Sequence, residues 1–214
     1  GRRDRCGWQP RVAYWSRGQL ARALSPWVDD PAPVQAGLER FATAYTAADR
    51  DNTARKLGLA ECRDDDIKLL RDLHGLMQSH EVDMTLWFRA LADVDPETPS
   101  LALLEEAFYD PGKRAGGEAA FNGWLARYAA RLDEDPLSAS ERRARMRAAN
   151  PKYVLRNWLA QQAIDRTHQG DCAGIEELRE VMRRPYDEQP GNERHAGKRP
   201  DWAKNKAGCS MLSC

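Results

Sequence analysis

Five cysteines carry the most reactive side chains of this sequence, and their spacing excludes the usual zinc arrangements. They are Cys6, Cys62, Cys172, Cys209 and Cys214. No two form a Cys-x-x-Cys pair, so the pattern of a zinc finger is incomplete. Reduced thiols are the default expectation for such a chain. The exception is the last six residues, which hold both Cys209 and Cys214.

The histidines and the charge clusters have simpler structural interpretations than catalytic ones. No histidine lies four residues from another histidine, so a ligand or general-base role is not indicated. Consecutive carboxylates on a helix point in different directions, which favours helix ends over a metal site. The basic run is interpreted as a solvated helix face. These groups are His74, His80, His168 and His195; Asp64–Asp66 and Asp133–Asp135; and Arg142, Arg143, Arg145 and Arg147.

The common catalytic motifs are absent from the sequence. It contains no GxxxxGK[ST] loop, no GxGxxG, no GxSxG and no HExxH. Gly116 and Gly117 lack the spacing of a phosphate-binding loop and are predicted to connect two helices. The seven tryptophans are predicted to be core and inter-helix anchors rather than a stacking platform for a ligand.

The composition is that of a globular protein with balanced charge. The 214 residues include 33 Lys+Arg and 33 Asp+Glu, and 42% are hydrophobic. This balance argues against a nucleic-acid binder, since neutralising phosphates needs a surplus of cations. The apolar runs are too short for a membrane span, and the N-terminal residues do not resemble a signal peptide, so no membrane association and a cytoplasmic location are expected.

Apolar residues recur at three- and four-residue steps along most of the chain, which predicts an all-α fold. No alternating strand pattern and no hairpin turn is present. Asn150 followed by Pro151 is interpreted as the N-cap and first residue of one helix. The predicted helices span residues 17–28, 33–49, 63–79, 82–94, 99–109, 117–132, 138–147, a segment from Asn150 through Ile164, and 172–184. The tail from 185 on is predicted to be extended or loosely held, and to be pinned by Tyr186 and Trp202.

Two long stretches resemble the selenoprotein O (SelO) family of kinase-like proteins. They are residues 146–164 (MRAANPKYVLRNWLAQQAI) and residues 183–190 (RRPYDEQP). The ending, PDW at 200–202 and AGCSMLSC at 207–214, resembles the C-terminus of that family. Shorter matches are Gln9-Pro10, Lys56–Leu59, Asp83–Thr85 with Phe88-Arg89, and Phe121–Tyr128. The matches occur in the family's order and cover nearly the whole chain.

The resemblance implies the C-terminal helical part of a kinase-like fold that transfers AMP from ATP to protein hydroxyl groups. It places the ligands of ATP and Mg²⁺ N-terminal to the matched region. No catalytic, cofactor-binding or metal-ligating residue is therefore carried over to this chain, and no cofactor is expected for it alone. The sequence departs from the family at Ser16-Arg17, near Arg3 and around Cys6.

The resemblance also implies a domain organisation and partners. Residues 1–30 correspond to the end of the activation segment and a first helix, 31–184 to a helical C-lobe body, and 185–214 to the tail. The partners implied are protein substrates and either the missing N-terminal lobe or a second copy, because an apolar docking surface would otherwise be exposed.

The family's C-terminal cysteine is thought to form a disulfide with an activation-segment cysteine. Cys214 matches that position, and Cys6 or Cys209 would have to replace the usual partner; idle, exposed thiols are the alternative. Two other functions therefore stay open, a non-catalytic helical interaction module and a redox-responsive module that uses Cys209 and Cys214.

Overall fold

The helical periodicity of the sequence is realised as a set of α-helices in the computed structural model, which describes residues 9–209. The α-helices are α1 (Gln9–Leu24), α2 (Ala32–Leu57), α3 (Asp64–His80), α4 (Met84–Leu91), α5 (Pro111–Asp133), α6 (Ala139–Ala149), α7 (Asn157–His168) and α8 (Ala173–Met182). Short 3-10 helices cover Ser25–Trp27, Leu101–Ala107, Glu193–His195 and Asp201–Ala203. Over residues 9–209 β-structure is limited to one isolated bridge between Val82 and Phe108. The all-α prediction is confirmed.

The chain divides after Asn52 into two compact units. The first contains α1 and most of α2, and the second contains everything from Thr53 on. The predicted boundaries at residues 30 and 184 remain predictions. They were set by the resemblance to a family, whereas the division after Asn52 reflects how densely each part of the chain is packed. Among the described residues, no helix combines the length and the apolar character needed to cross a membrane.

An aromatic cluster forms the centre of the second unit. Trp87 of α4 contacts Phe121 and Trp124 of α5 at ring-centroid distances of 5.0 and 6.2 Å. Phe108 meets Phe121 edge to face at 5.1 Å. The buried indole of Trp124 donates to the carbonyl of Leu69 at 2.8 Å, so its polar atom is satisfied inside the core. The prediction of core tryptophans is right for Trp87, Trp124 and Trp158 but wrong for Trp15, Trp27 and Trp202, which are exposed.

The helix predicted from Asn150 is wrong, because α7 begins seven residues later. Asn150 is the C-cap of α6, and its side-chain amide donates to the carbonyl of Lys56 at 3.0 Å, so it is not free to cap a new helix. The backbone N–H groups of Lys152 and Tyr153 donate to the carbonyl of Pro185 instead. Residues 151–156 therefore pack against the tail in a non-helical conformation.

Two other helix predictions need correction. The segment predicted at 99–109 contains the 3-10 helix Leu101–Ala107, and its buried residues Leu101, Leu104 and Ala107 repeat every third position, as in a 3-10 helix. Gly116 and Gly117 lie inside α5, which begins at Pro111 with Asp110 as its N-cap, rather than in a connector. The remaining predicted helices exist with shifted ends.

The tail is folded rather than loose as far as Cys209, and its anchors differ from the predicted ones. Tyr186 and Trp202 are exposed, whereas Gln189, His195, Ala203 and Cys209 are buried. Gln189 donates to the carbonyls of Val181 and Arg184, which lie at the end of α8. The prediction failed because most of the anchors are small or polar, so hydrophobic periodicity did not indicate them.

Gly117 is required by a close approach between α5 and the end of α3, and this gives a stability prediction. A Cβ on Gly117 would lie 2.6 Å from Cδ2 of His80, whose ring bonds to the Leu76 carbonyl and meets Phe121 at 5.4 Å. We expect Gly117→Ala to destabilise the chain by roughly 1–2 kcal/mol, because the held ring must move. The measurement is urea unfolding followed by circular dichroism.

The adjacent glycine supplies the matched control. A Cβ at Gly116 has no atom within 4 Å. Gly116→Ala is therefore expected to stabilise the chain by roughly 0.5–1 kcal/mol through helix propensity alone. Equal effects of the two substitutions would contradict the close approach.

Candidate functional site

A buried ion pair at the start of α4 connects three separate parts of the chain. Asp83 is the N-cap of α4 and accepts from the backbone N–H of Leu86 at 3.1 Å. Its carboxylate also pairs with both terminal nitrogens of Arg156 and accepts from the hydroxyl of Tyr109 at 2.8 Å. The side chains of Asp83 and Arg156 are 2% and 1% exposed. A bidentate pair this deep has high geometric specificity.

The electrostatics of this pair are those of a structural ion pair rather than of a reactive group. Burial would raise the pKa of Asp83, but the hydrogen bonds and charge of Arg156, with Tyr109 and Leu86, lower the pKa below its usual range. Burial and then the Asp83 charge raise the pKa of Tyr109 to about 12. Arg199 closes the site from the tail, where its backbone N–H donates to the Tyr109 hydroxyl. The pair therefore positions α4, residue 156 and the tail.

A second polar junction joins α4, the end of α6 and the tail. The guanidinium of Arg89 donates to the carbonyls of Arg147, Asn150 and Tyr186, each at 3.1 Å, and pairs with Glu188 at 2.6 Å. Glu188 also accepts from Lys152. The Lys152 hydrogen bond and then that of Arg89 lower the pKa of Glu188 to about 2.

Lys56, near the end of α2, is a largely buried cation that pairs with no carboxylate among residues 9–209. Its ammonium donates to Oδ1 of Asn150 at 3.1 Å and lies 3.9 Å from the centre of the Phe88 ring. Burial lowers the pKa of Lys56 to about 8. A buried lysine with a lowered pKa is the environment in which functional lysines are often found. Its printed contacts are an amide and an aromatic ring, and no nucleophile among the described residues forms a hydrogen bond with its ammonium, so these contacts support packing rather than catalysis.

The Lys56 environment predicts a rise of stability with pH. The folded-state pKa is below the unfolded one, so the unfolded chain binds more protons between about pH 8 and about pH 10.5, and unfolding becomes less favourable as pH rises through that window. We expect the free energy of unfolding to gain roughly 1–2 kcal/mol from about pH 7 to about pH 9.5 relative to Lys56→Met. The measurement is urea unfolding at both pH values. A variant of the exposed lysine, Lys204→Met, should leave the pH dependence unchanged, and no difference for Lys56→Met would contradict the prediction.

An open groove of about 660 Å³ runs between α7, α8 and the 3-10 helix at 193–195. Its floor includes Trp158 and Leu178, and at its rim Arg194 donates to Glu177 at 2.9 Å. Nε2 of His195 accepts from Arg194, while Nδ1 of His195 and Nε1 of Trp158 have no hydrogen-bond partner within the described part of the chain. The lining has no serine, cysteine or lysine that His195 could activate as a nucleophile. The groove therefore has features of binding rather than of covalent catalysis.

The acidic clusters serve structure. Asp66 is buried, accepts from the Arg63 backbone and pairs with Arg131 at 2.8 Å. Arg131 also pairs with Asp135, which accepts from the backbone N–H of Ala60. Within residues 9–209 no group of three or more carboxylate, histidine or cysteine side chains is arranged to hold a metal ion.

The basic run is only partly the solvated face that the sequence predicts. Arg142 is buried and donates to the carbonyl of Val94 at 3.1 Å. Arg143 and Arg147 are partly exposed and share the carboxylate of Asp93. The prediction is wrong for Arg142 because a long guanidinium side chain can reach a buried carbonyl that the sequence does not reveal.

Each histidine has a local structural environment. His74 lies edge to face against Phe88, and burial and then Lys56 lower the pKa of His74. His80 bonds to the Leu76 carbonyl, and His168 is the exposed last residue of α7. Burial and then Arg194 lower the pKa of His195.

The redox candidates are only partly covered by the structure. Cys6 and Cys214 lie outside the described residues. Cys209 is a free thiol, 3% exposed, packed in a small cluster with Trp158, Leu159, Ala163, Leu178 and Ala203. The pairing of Cys214 stays a prediction.

The burial of Cys209 predicts slow alkylation. We expect iodoacetamide to modify exposed Cys172 at least about tenfold faster than Cys209 in the native chain, because Cys209 reacts only after local opening. Mass spectrometry of the two peptides over time measures both rates, and denatured chain is the control in which the rates converge. Comparable native rates would show that the tail does not stay packed on α7 and α8.

The sequence analysis did not predict either polar junction, although the residues of both lie in the stretches that resemble the SelO family. Asp83 and Arg89 lie in the short stretches at 83–89, Arg156 in the stretch 146–164, and Glu188 in the stretch 183–190. The structure brings these resemblance-bearing stretches into direct contact. They form a scaffold of buried or half-buried charge, which explains why such polar residues occur in a helical core.

Comparison with known proteins shows which family contains these stretches. The family model described as protein adenylyltransferase SelO matches residues 1–183. The chain belongs to the SelO family. SelO relatives named protein nucleotidyltransferase YdiU are 59% identical in Xanthomonas axonopodis pv. citri and 60% in Xanthomonas euvesicatoria pv. vesicatoria, over all 214 residues. The chain spans 41% of the length of each of these relatives.

Proposed function

We propose that this chain is the C-terminal helical region of a SelO-type pseudokinase that transfers AMP from ATP to hydroxyl side chains of proteins in the cytoplasm. The observation that carries the proposal is the SelO match over residues 1–183, on a chain that spans 41% of its relatives. ATP and Mg²⁺ would be bound by residues upstream of this region. The region's own contribution would be a rigid support, built on the Asp83–Arg156 and Arg89–Glu188 pairs.

The test adds the upstream portion of the Xanthomonas axonopodis relative to Gly1, giving a chain of the relative's length. With ATP and Mg²⁺, the extended chain is expected to attach AMP to protein, detected by intact mass, as the complete relative should in parallel. The 214-residue chain is expected to attach none and to show no Mg²⁺-dependent ATP binding by calorimetry. AMP transfer by the short chain alone, or an inactive extended chain beside an active relative, would contradict the proposal.

A non-catalytic module with redox response is the second candidate, supported by the thiol Cys209 close to Cys214 in sequence. The proposal requires a disulfide, which a mass spectrum before and after reductant would reveal as a two-dalton change. An unchanged mass would remove this candidate.

A further inference from the structure

A second groove, of about 340 Å³, lies beside the one that contains His195. It is formed by Leu155, α7 and α8, and its lining is apolar except for one arginine. Its large side chains are open to solvent: Leu155 is 61% exposed, Ile175 47% and Ile164 45%. We call the following residues the α7–α8 face: Leu155, Ala160, Ile164, Ile175, Arg179 and Met182.

The residues of this face follow helical spacing. Ala160 and Ile164 are four residues apart on α7, and Ile175, Arg179 and Met182 are spaced by four and three residues on α8. Residues at these intervals are neighbours on a helix surface. The face is therefore a continuous stripe rather than a set of scattered residues, and apolar surface of this kind marks an interaction site.

The charges of α8 change sign along the helix, which narrows the occupant of the face. Glu176 and Glu177 lie in the first half of α8, whereas Arg183 and Arg184 follow its last residue, Met182. A partner of one charge sign, such as an anionic membrane, would be repelled at one end of the helix. A second copy of α8 that packs antiparallel to the first places the acidic half of each helix opposite the basic end of the other.

The charged residues define a register for such a pair. About a two-fold axis at the middle of Arg179 and Glu180, Glu176 of one copy faces Arg183 of the other, and Arg179 faces Glu180. Each contact then occurs twice, once for each copy. A parallel arrangement would instead place Glu176 opposite Glu176 and Arg183 opposite Arg183.

The apolar residues of α8 agree with the same register. Ile175 lies about 3 Å along the axis from Met182 of the second copy, because two residues of α-helix rise by about that distance. Each Ile175 side chain is therefore close enough to contact the apolar lining of the other copy.

The charged residues of α8 already have partners within their own helix, but these contacts are exposed. Arg179 pairs with Glu176 at 2.7 Å and Arg183 with Glu180 at 3.7 Å, and all four side chains are more than half exposed. Exposed ion pairs contribute little to stability. Exchanging them for pairs between copies therefore costs little.

We propose that the α7–α8 face forms a two-fold interface with a second copy of this chain. In this interface α8 packs antiparallel to α8, with Ile175 and Met182 near the centre and a Glu176–Arg183 pair at each end. One short helical hairpin from each copy makes a small interface, so we expect a dissociation constant on the order of 10–100 µM. The interface goes beyond the proposed function and does not depend on AMP transfer.

Sedimentation velocity tests the interface, with a reductant present so that disulfides between copies make no contribution. The weight-average mass of the 214-residue chain is expected to rise from 24.2 kDa towards twice that value between about 2 and about 500 µM. The extended chain should associate over the same range. A mass that stays at that of one chain would overturn the proposal. Association of the 214-residue chain beside a monomeric extended chain would assign the face to the upstream portion and would also overturn it.

Charge reversal tests the antiparallel register. Glu176→Arg places arginine opposite Arg183 at both ends of the interface, and Arg183→Glu places glutamate opposite Glu176. Each variant alone is expected to associate at least about tenfold more weakly, because like charges repel. An equimolar mixture of the two is expected to associate as the original chain does, since every facing pair is again of opposite sign. A mixture that stays monomeric would overturn the proposal.

An apolar variant tests whether the face itself makes the contact. Ile175→Asp is expected to weaken association at least about tenfold, because it places a charge at the centre of the interface. Aspartate is favourable in the first turn of α8, so the helix is kept, and circular dichroism checks it. Leu103→Asp, at a 54% exposed residue outside the face, should leave association unchanged. Undiminished association of Ile175→Asp would assign the contact to another surface and overturn the proposal.

Discussion

Asp83→Asn is expected to destabilise the chain by about 3–5 kcal/mol, because it leaves the guanidinium of Arg156 buried without a counter-charge. Arg156 is 2% exposed, and the Asp83 carboxylate accepts from both of its terminal nitrogens. Asparagine caps helices as well as aspartate does, so the cap of α4 is kept and the charge is the quantity removed. Urea unfolding at neutral pH measures the loss.

Asp110→Asn is the matched control for this prediction. Asp110 is the N-cap of α5 and accepts from the backbone N–H groups of Gly112 and Lys113, but it is exposed and pairs with no buried arginine. The same substitution there should have little effect. A second check is the double variant Asp83→Asn with Arg156→Met, which should recover most of the loss, since no unpaired charge remains buried.

The pH dependence of the effect has a defined sign. The pKa of Asp83 is below its unfolded value, so the carboxylate stabilises the fold above that value, and this contribution is lost as pH falls through the folded pKa. The difference between the original chain and Asp83→Asn should therefore shrink below about pH 4. A difference that is constant with pH, or a loss no larger than that of Asp110→Asn, would show that the pair is not a buried charge pair.

The sequence predicted the all-α fold class and helix α3 correctly, but it did not predict the buried ion pairs. The prediction for 63–79 matches α3, Asp64–His80, because its apolar residues lie at three- and four-residue steps and its carboxylates start the helix. Asp83 and Arg156 are 73 residues apart and have no local signature. Their contact depends on tertiary packing, which periodicity does not encode.

The wrong helix start at Asn150 also results from a long-range contact. Locally, Asn followed by Pro is a good helix start, and that prediction used sound cap chemistry. In the structure both ends of the Asn150 side chain are used by Lys56, at Nδ2 and Oδ1. A long-range partner therefore overrode a local preference.

The resemblance-bearing stretches gain a physical meaning from these contacts. The stretch Lys56–Leu59 touches Asn150, the stretch 83–89 touches Arg156 and Glu188, and residues 121–128 supply the aromatic core. The family-like residues described here hold helices in register. Their substitution should therefore change stability first, and AMP transfer by an extended chain only as a consequence.

Gly58→Ala is expected to destabilise the chain by roughly 2–4 kcal/mol through two additive costs. Gly58 follows α2 with φ of +72°, in the left-handed region that side chains rarely adopt. An added Cβ would lie 2.5 Å from Cγ of Arg142 and 2.8 Å from Sδ of Met146. Both side chains are buried, and Arg142 is fixed by its bond to the Val94 carbonyl, so neither can move aside cheaply.

Gly170→Ala separates the two costs. Gly170 has φ of +88° but no atom within 4 Å of an added Cβ, so its substitution carries the backbone cost alone, about 1–2 kcal/mol. The excess for Gly58→Ala over Gly170→Ala then measures the collision of α6 with the end of α2. Urea unfolding of both variants supplies the comparison. Equal losses would mean that α6 can shift away from Gly58. The position of α6, which also places Asn150 against Lys56, would then be less rigidly fixed than the contacts in the structure indicate.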